Sequence, residues 1–176
     1  MFPLTSNRLR LIPLTIDQLH LLARGRDQLE ASLGLAVSDL DFDDGNGFMD
    51  EFRAAIPGYV IPAVAAHPGH FAWYTHWLVV HAALHLTIGG MGVTGPPDAG
   101  GQLMIGYFID KKFENAGFAT EAVGCLLDWV FLNPAVQSVA ADTLVDGLAS
   151  QRVLRKNGFL PAGPAEEGLR WVRKRN

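Results

Sequence analysis

Phe113-Glu114-Asn115-Ala116-Gly117-Phe118-Ala119-Thr120-Glu121 is the stretch that decides how this chain folds. Before it runs Leu103-Met104-Ile105-Gly106-Tyr107-Phe108-Ile109, apolar enough for a strand. After it, Ala119, Ala122, Val123, Leu126, Leu127, Val130 and Phe131 recur at the i, i+3, i+4, i+7 spacing of one buried helix face. A strand that turns at a glycine straight into a helix presents unpaired backbone N–H groups at the positive end of the helix dipole, where phosphate binds readily. The spacing therefore predicts a phosphorylated ligand before any side-chain chemistry is considered.

About forty residues further on comes Ala149-Ser150-Gln151-Arg152-Val153-Leu154-Arg155-Lys156-Asn157-Gly158-Phe159. Together the two blocks resemble the GNAT superfamily of N-acetyltransferases. The first is similar to that family's acyl-coenzyme A loop, (Gln/Arg)-x-x-Gly-x-(Gly/Ala) continued as Ala-Thr-Glu-Ala, which Ala119-Thr120-Glu121-Ala122 reproduces. The second resembles the Ala-Ser-x-Arg-Val-Leu-x-Lys-x-Gly-Phe ending of the branch that includes bacterial ribosomal-protein N-terminal acetyltransferases. The opening, residues 4–15, resembles that branch's first strand. The likeness runs from residue 4 to about 173 and is most specific between 101 and 159.

Composition sets the outer limits. At 176 residues the chain suits one domain over 1–176 with a single substantial core, and with 49% hydrophobic and 18% charged residues it is no disordered chain. A net charge of −4 argues against a general nucleic-acid binder. No apolar run reaches the roughly 20 residues of a membrane span, and the N-terminus lacks a signal-peptide pattern. The lone cysteine, Cys125, sits in the periodic helix and reads as a packing residue, which makes a reduced, cytoplasmic setting the default. The six histidines show no metal-ligand spacing, so no metal is expected.

The order of elements predicts an α/β (α+β) fold. Leu9, Leu11 and Pro13 alternate as a strand; Thr15 with Gln18 forms a capping box for a helix carrying Ile16, Leu19, Leu22 and Ala23. Residues 33–46 are acidic and turn-rich, and a helix starts near Gly47 and ends before Pro57. Trp77–Val80 and residues 83–88 read as a hairpin, then come the 103–109 strand, the long helix, a strand over 136–144, a helix over 148–157 closed by Gly158, and a short strand at 171–173. Gly90-Met91-Gly92-Val93-Thr94-Gly95 has the form of a dinucleotide fingerprint, but Pro96 and Pro97 follow where a helix must start, so it reads as a hairpin or bulge. The resemblance adds a GNAT-like, mostly antiparallel central sheet flanked by helices, with a splayed pair of strands forming the cofactor cleft.

For the site, the resemblance implies an acetyl-CoA cosubstrate held by Glu114, Asn115, Ala116, Gly117, Phe118, Ala119, Thr120 and Arg152. It also implies a backbone N–H near Phe108 or Ile109 for the tetrahedral oxyanion, and Ser150 as the catalytic proton donor. Small loop residues suit a diphosphate because backbone amides, rather than side chains, contact it. Three positions depart from the family: Glu114 replaces Gln or Arg, Gly147 stands where many relatives carry Asn, and Leu154 where many carry a tyrosine acid. Lys111 and Lys112 are placed to offset Glu114 or simply to face solvent, and Arg152, Arg155 and Lys156 to reach the cofactor or solvate a helix face. No base stands out among Asp110, Asp142, Asp146, His76, His81 and His85; Phe71, Trp73, Tyr74 and Trp77 line an acceptor pocket or pack a core. The expected activity is direct acetyl transfer to a primary amine, either a protein N-terminal α-amine or a small molecule. A catalytically silent acyl-CoA-binding or sensing module is the alternative. A homodimer is compatible with the sequence; nucleic-acid and membrane partners are not expected.

Overall fold

The computed structural model describes residues 2–40, 47–166 and 168–175. Its strands are β1 (Leu4–Thr5), β2 (Leu9–Pro13), β3 (His76–His81), β4 (Leu86–Val93), β5 (Gln102–Ile109), β6 (Ser138–Thr143), β7 (Leu160–Ala165) and β8 (Gly168–Lys174). Among the described residues they form one sheet in the order β1-β2-β3-β4-β5-β6-β8-β7. Every neighbouring pair is antiparallel except β5 and β6. The mixed, mostly antiparallel α/β architecture read from the sequence is therefore the observed one.

Helices cover both faces. On one side α5 (Phe118–Val130) buries Ala122, Val123, Leu126, Leu127 and Val130 against Leu9, Leu11, Trp77, Val79, Ile88 and Ile105. Each buried Val or Leu contributes about 1.5–3 kcal/mol, enough to hold the helix in place although its N-terminus has no side-chain cap. On the other side α1 (Ile16–Arg24), α2 (Arg26–Ser32) and α4 (Ile61–Ala66) pack Leu19, Leu29 and Val64 on Leu14, Leu78 and Val80. The Thr15–Gln18 capping box starts α1 with both reciprocal bonds made.

Several local expectations change. The strand expected over 83–88 begins only at Leu86, because 82–85 turn and His85 takes a left-handed φ of 49°. The glycine-rich run from Gly90 lies largely inside β4, which carries a bulge: Val79 pairs Gly89 but Val80 pairs Thr87, leaving Ile88 extra. The helix α3 (Phe48–Ala55) is followed by helical chain the sequence did not predict: a π-helical turn (Ile56–Val60), α4, and a 3₁₀ segment (Pro68–Trp73). Pro57, Pro62 and Pro68 sit at the first or second positions of those pieces, where the missing N–H is no loss. The hairpin partner β7 was also unforeseen, since it holds Pro161, Gly163 and Pro164; it lies at the sheet's edge, where such residues are tolerated. Of the loop expected at 33–46, residues 41–46 lie outside the described residues. No helix among the described residues is long and apolar enough to cross a membrane.

Candidate acetyltransferase site

The site begins where β5 and β6 part. Their parallel pairing covers only Gln102↔Ser138 to Met104↔Ala140. Beyond it β5 stays with β4 as far as Ile109, while β6 stays with β8 as far as Thr143. A wedge opens between them. The hydrogen bonds Thr94 N to Met104 O (3.0 Å) and Asp110 N to Ile88 O (2.8 Å) fix the alternation along β5. Even-numbered residues turn their main-chain groups to β4, so Tyr107 and Ile109 turn theirs into the wedge. Of the two residues expected to offer an N–H there, Ile109 does so. The same alternation points the Phe108 amide at β4, while the amide of Tyr107 opens on the wedge.

The loop from β5 to α5 closes one end of the wedge. Asp110 caps a 3₁₀ turn (Lys111–Phe113) by accepting from Lys112 N at 2.9 Å. Asn115 (φ 57°) and Gly117 (φ 82°) then take left-handed conformations that swing the chain into α5. The first intrahelical bond is Glu121 N to Gly117 O (3.0 Å), which leaves the amides of Phe118, Ala119 and Thr120 without helical acceptors.

Two residues that sequence reasoning did not assign to the site hold this loop from outside. The Arg8 guanidinium donates to Ala116 O at 3.0 Å and lies over the Phe118 ring, 4.2 Å from its centroid. Glu121 accepts from Ser6 Oγ (2.8 Å), Arg8 N (2.7 Å) and Arg8 Nε (2.7 Å). Burial alone would raise the Glu121 pKa, but these hydrogen bonds and the Arg8 charge outweigh it and hold the carboxyl below its ordinary value. The signal was present: Ser6, Arg8 and Glu121 all lie in the segments that carried the resemblance, although nothing local says that they touch.

Phe108, Ile109, Glu114, Asn115, Gly117, Phe118, Ala119, Thr120, Ser150 and Arg152 converge on one cavity of about 210 Å³, with Tyr107 and Lys156 also in its wall. Ala116 is absent from that lining and serves through its carbonyl bond to Arg8. Ser150 stands in the first turn of α6 (Leu148–Lys156), whose N-cap Gly147 makes no side-chain bond. Tyr107 Oη donates to Ser150 O at 3.2 Å, tying α6 to β5 across the wedge. Burial pushes the Tyr107 pKa up to about 12, with the bond to Ser150 opposing it, so the phenol stays protonated. Asn157 Nδ2 donates to Thr120 O at 3.2 Å and ties the far end of α6 to the first turn of α5. Among the nearby cations, Arg152 and Lys156 reach the cavity, whereas Arg155 lies over Trp171 and Lys112 pairs with Asp39. Cys125 packs against the core, and burial, with Asp128 and Glu121 beside it, raises its thiol pKa.

On the opposite face of the sheet, Phe108 is shared with a second cavity of about 300 Å³, which Tyr107 and His76 also line. His76 is 8% exposed and sits edge-on to Phe52 (4.7 Å between centroids). Burial pushes its pKa down to about 3, so the imidazole is neutral at ordinary pH. The other base candidates are elsewhere or engaged. Arg170 clamps Asp142 (2.9 and 2.8 Å), Asp110 caps its turn, His81 Nδ1 accepts from Leu84 N, and His85 and Asp146 lie in exposed turns. Of the aromatic group, Trp77 is core and Trp73 packs on Trp129, while Tyr74 alone lines the second cavity. Among the described residues no group of three or more His, Cys, Asp or Glu side chains could hold a metal ion.

A wedge between parting strands, an uncapped helix start and cations on the rim together fit an acyl thioester with a diphosphate tail. The sequence profile of the acetyltransferase (GNAT) domain matches residues 8–160, so the chain belongs to that family of acetyl-CoA-dependent N-acetyltransferases. The N-acetyltransferase YjdG of Bacillus subtilis (strain 168), itself uncharacterized, is 28% identical over 170 residues, which is 96% of each chain. Among solved structures, the fold is similar to RimL, a ribosomal L7/L12 α-N-protein acetyltransferase in complex with coenzyme A. The TM-score there is 0.64 at 18% identity, covering 96% of this chain and 95% of that one. It is also similar to the microcin C7 self-immunity acetyltransferase MccE in complex with acetyl-CoA and AMP (TM-score 0.65, 12% identity, 98% and 99% covered).

Proposed function

We propose that this chain moves an acetyl group from acetyl-CoA to a primary α-amine, by direct attack and without an acyl-enzyme intermediate. One observation carries the reading: the cavity at the start of α5 and the cavity on the other face of the sheet meet at Tyr107 and Phe108, where β5 leaves β6. The amides of Phe118, Ala119 and Thr120 hold the diphosphate, with Arg152 and Lys156 at the rim. The amides of Tyr107 and Ile109 offer hydrogen bonds to an extended, amide-bearing arm and to the carbonyl oxygen as it gains charge. The Ser150 hydroxyl donates a proton toward the departing sulfur. The C–N bond forms, the C–S bond breaks, the proton shed by the nitrogen passes to solvent, and Ser150 regains a proton from solvent to reset the site.

The proton balance favours an α-amine over a lysine side chain. An α-amine of pKa about 8 is roughly one-tenth neutral at pH 7, whereas a lysine of pKa about 10.4 is neutral in only a few molecules per ten thousand. A lysine acceptor needs a strong base, and the one imidazole at the second cavity has its pKa near 3. A peptide N-terminus needs no such help. The test is thiol release from acetyl-CoA in the presence of peptides with free or blocked N-termini. Release that requires the free α-amine supports the proposal; tight binding of coenzyme A with no release from any amine identifies a silent binding module instead.

A further inference from the structure

The acceptor-side cavity has the character of a specificity pocket. Its floor is bare backbone: Gly92 pairs with Gly106 across β4 and β5, and both lie on the face that carries His76 and Phe108. Its walls are Ile56, Val60 and the rings of Tyr59 and Tyr74. Both threonine hydroxyls at its edge are occupied: Thr75 Oγ1 donates to Leu14 O at 2.6 Å, and Thr94 Oγ1 accepts from Met104 N at 3.1 Å. No described residue in the lining is a carboxylate. His76, more than nine-tenths buried, lines the cavity with its neutral imidazole held edge-on to Phe52, and is the one described residue of the lining with a ring nitrogen to offer a ligand.

Building on the α-amine reading, we propose that this cavity receives the first side chain of a peptide acceptor. It selects apolar N-terminal residues, with the ring of His76 taking a hydrogen bond from the acceptor and Gly106 setting the space available. Three observations support this. The cavity adjoins the cofactor cavity through Tyr107 and Phe108, so an amine held at that junction directs its own side chain here. A volume of about 300 Å³ is at the small end of the roughly 300–1,000 Å³ of ligand pockets, which fits one side chain and not a large molecule. A second positive charge, as in a polyamine, would enter apolar walls with no counter-ion among the described lining, an expensive burial.

Gly106 makes the test clean. A Cβ added there meets nothing within 4 Å, and its φ is not in the left-handed region, so a side chain fills the cavity without straining the backbone. Thiol release from acetyl-CoA is measured with the native protein, Gly106→Ala and Gly106→Val. The acceptors are peptides that differ only in a first residue of Gly, Ala, Leu, Met, Asp or Lys, with spermidine alongside. The native protein is expected to favour Leu and Met starts over Asp, Lys and spermidine by at least about tenfold. Gly106→Val should lower kcat/KM for those large apolar starts by roughly 10–200-fold, the range one misfitting hydrophobic group produces. The Gly start and the KM for acetyl-CoA should stay within about threefold, with Gly106→Ala intermediate. Equal loss for every peptide, or spermidine as the preferred acceptor, overturns the pocket assignment while leaving acetyl transfer standing. No release from any amine overturns both.

Discussion

Replacing Glu121 with glutamine tests whether the loop from β5 to α5, the proposed diphosphate site, is held from outside by the N-terminal strands. One carboxylate accepts from the Ser6 hydroxyl, the Arg8 amide and Arg8 Nε, all between 2.7 and 2.8 Å. Glutamine keeps an acceptor oxygen for the first two but turns an NH₂ toward the guanidinium. A hydrogen bond to a charged group is worth about 1.5–3 kcal/mol. The Arg8 side chain is 38% exposed, so solvent screening lowers the expected loss to about 1–2 kcal/mol. For a chain of this size each kcal/mol moves Tm by about 2–4 °C, so the variant should melt about 2–8 °C lower at pH 7. Coenzyme A affinity should fall as well, because Arg8 also holds Ala116 O and covers Phe118. The carboxyl's folded-state pKa is depressed below its ordinary 4.5. Its stabilisation is therefore present above pH 4.5 and is lost as pH falls through the folded value, so the deficit of the variant must shrink in acid. Thermal melts of both proteins from pH 7 to below pH 4, with coenzyme A titrations at pH 7, measure all of this. No deficit at pH 7, or an undiminished deficit in acid, refutes the clamp.

Gly117→Glu should remove detectable coenzyme A binding in calorimetry, a loss of more than about 100-fold or roughly 2.7 kcal/mol. The fold should survive a left-handed strain of about 1–2 kcal/mol, since a Cβ there comes no closer than 3.5 Å to Arg8; retained affinity would remove α5 from the diphosphate role. Ser150→Ala should lower kcat at least tenfold, toward the 10²–10⁴-fold typical of a lost proton donor, with coenzyme A affinity within about threefold. Parallel losses in both would make Ser150 a binding residue. His76, depressed from 6.5 to about 3 by burial, should make the native fold lose stability as pH drops below 6.5, at about 1.4 kcal/mol per pH unit. Urea melts of His76→Gln should lack that slope, and an identical slope in both proteins would show that His76 is not buried neutral.

The chain's local patterns were enough for the elements around the turn from β5 into α5. Apolar spacing from Ala119 to Val130 needs only 3.6-residue periodicity to declare a helix with one buried face, and the burial of Ala122, Val123, Leu126, Leu127 and Val130 follows from it. Gly158 announced a left-handed cap and Gly117 a tight turn, and both take positive φ, which glycine does without penalty. Thr15 and Gln18 announced a capped start because the two partners lie three residues apart. Each of these signals lies within about one helical turn. The 56–73 helical chain and β7 escaped because prolines obscure the local signal, and their places were decided by packing against the sheet and by an edge position.

What sequence alone could not supply were relations between distant segments. Glu121 meets Ser6 115 residues away, Tyr107 reaches Ser150 43 residues on, and neither pair leaves a mark on local spacing. The parting of β5 from β6 depends on where two ladders end, and the choice of Ile109 and Tyr107 over Phe108 depends on which parity faces β4. Periodicity names a strand's two faces but not which neighbour stands on either side. Only the assembled sheet fixes that, because inter-strand hydrogen bonds join residues that chain order keeps far apart.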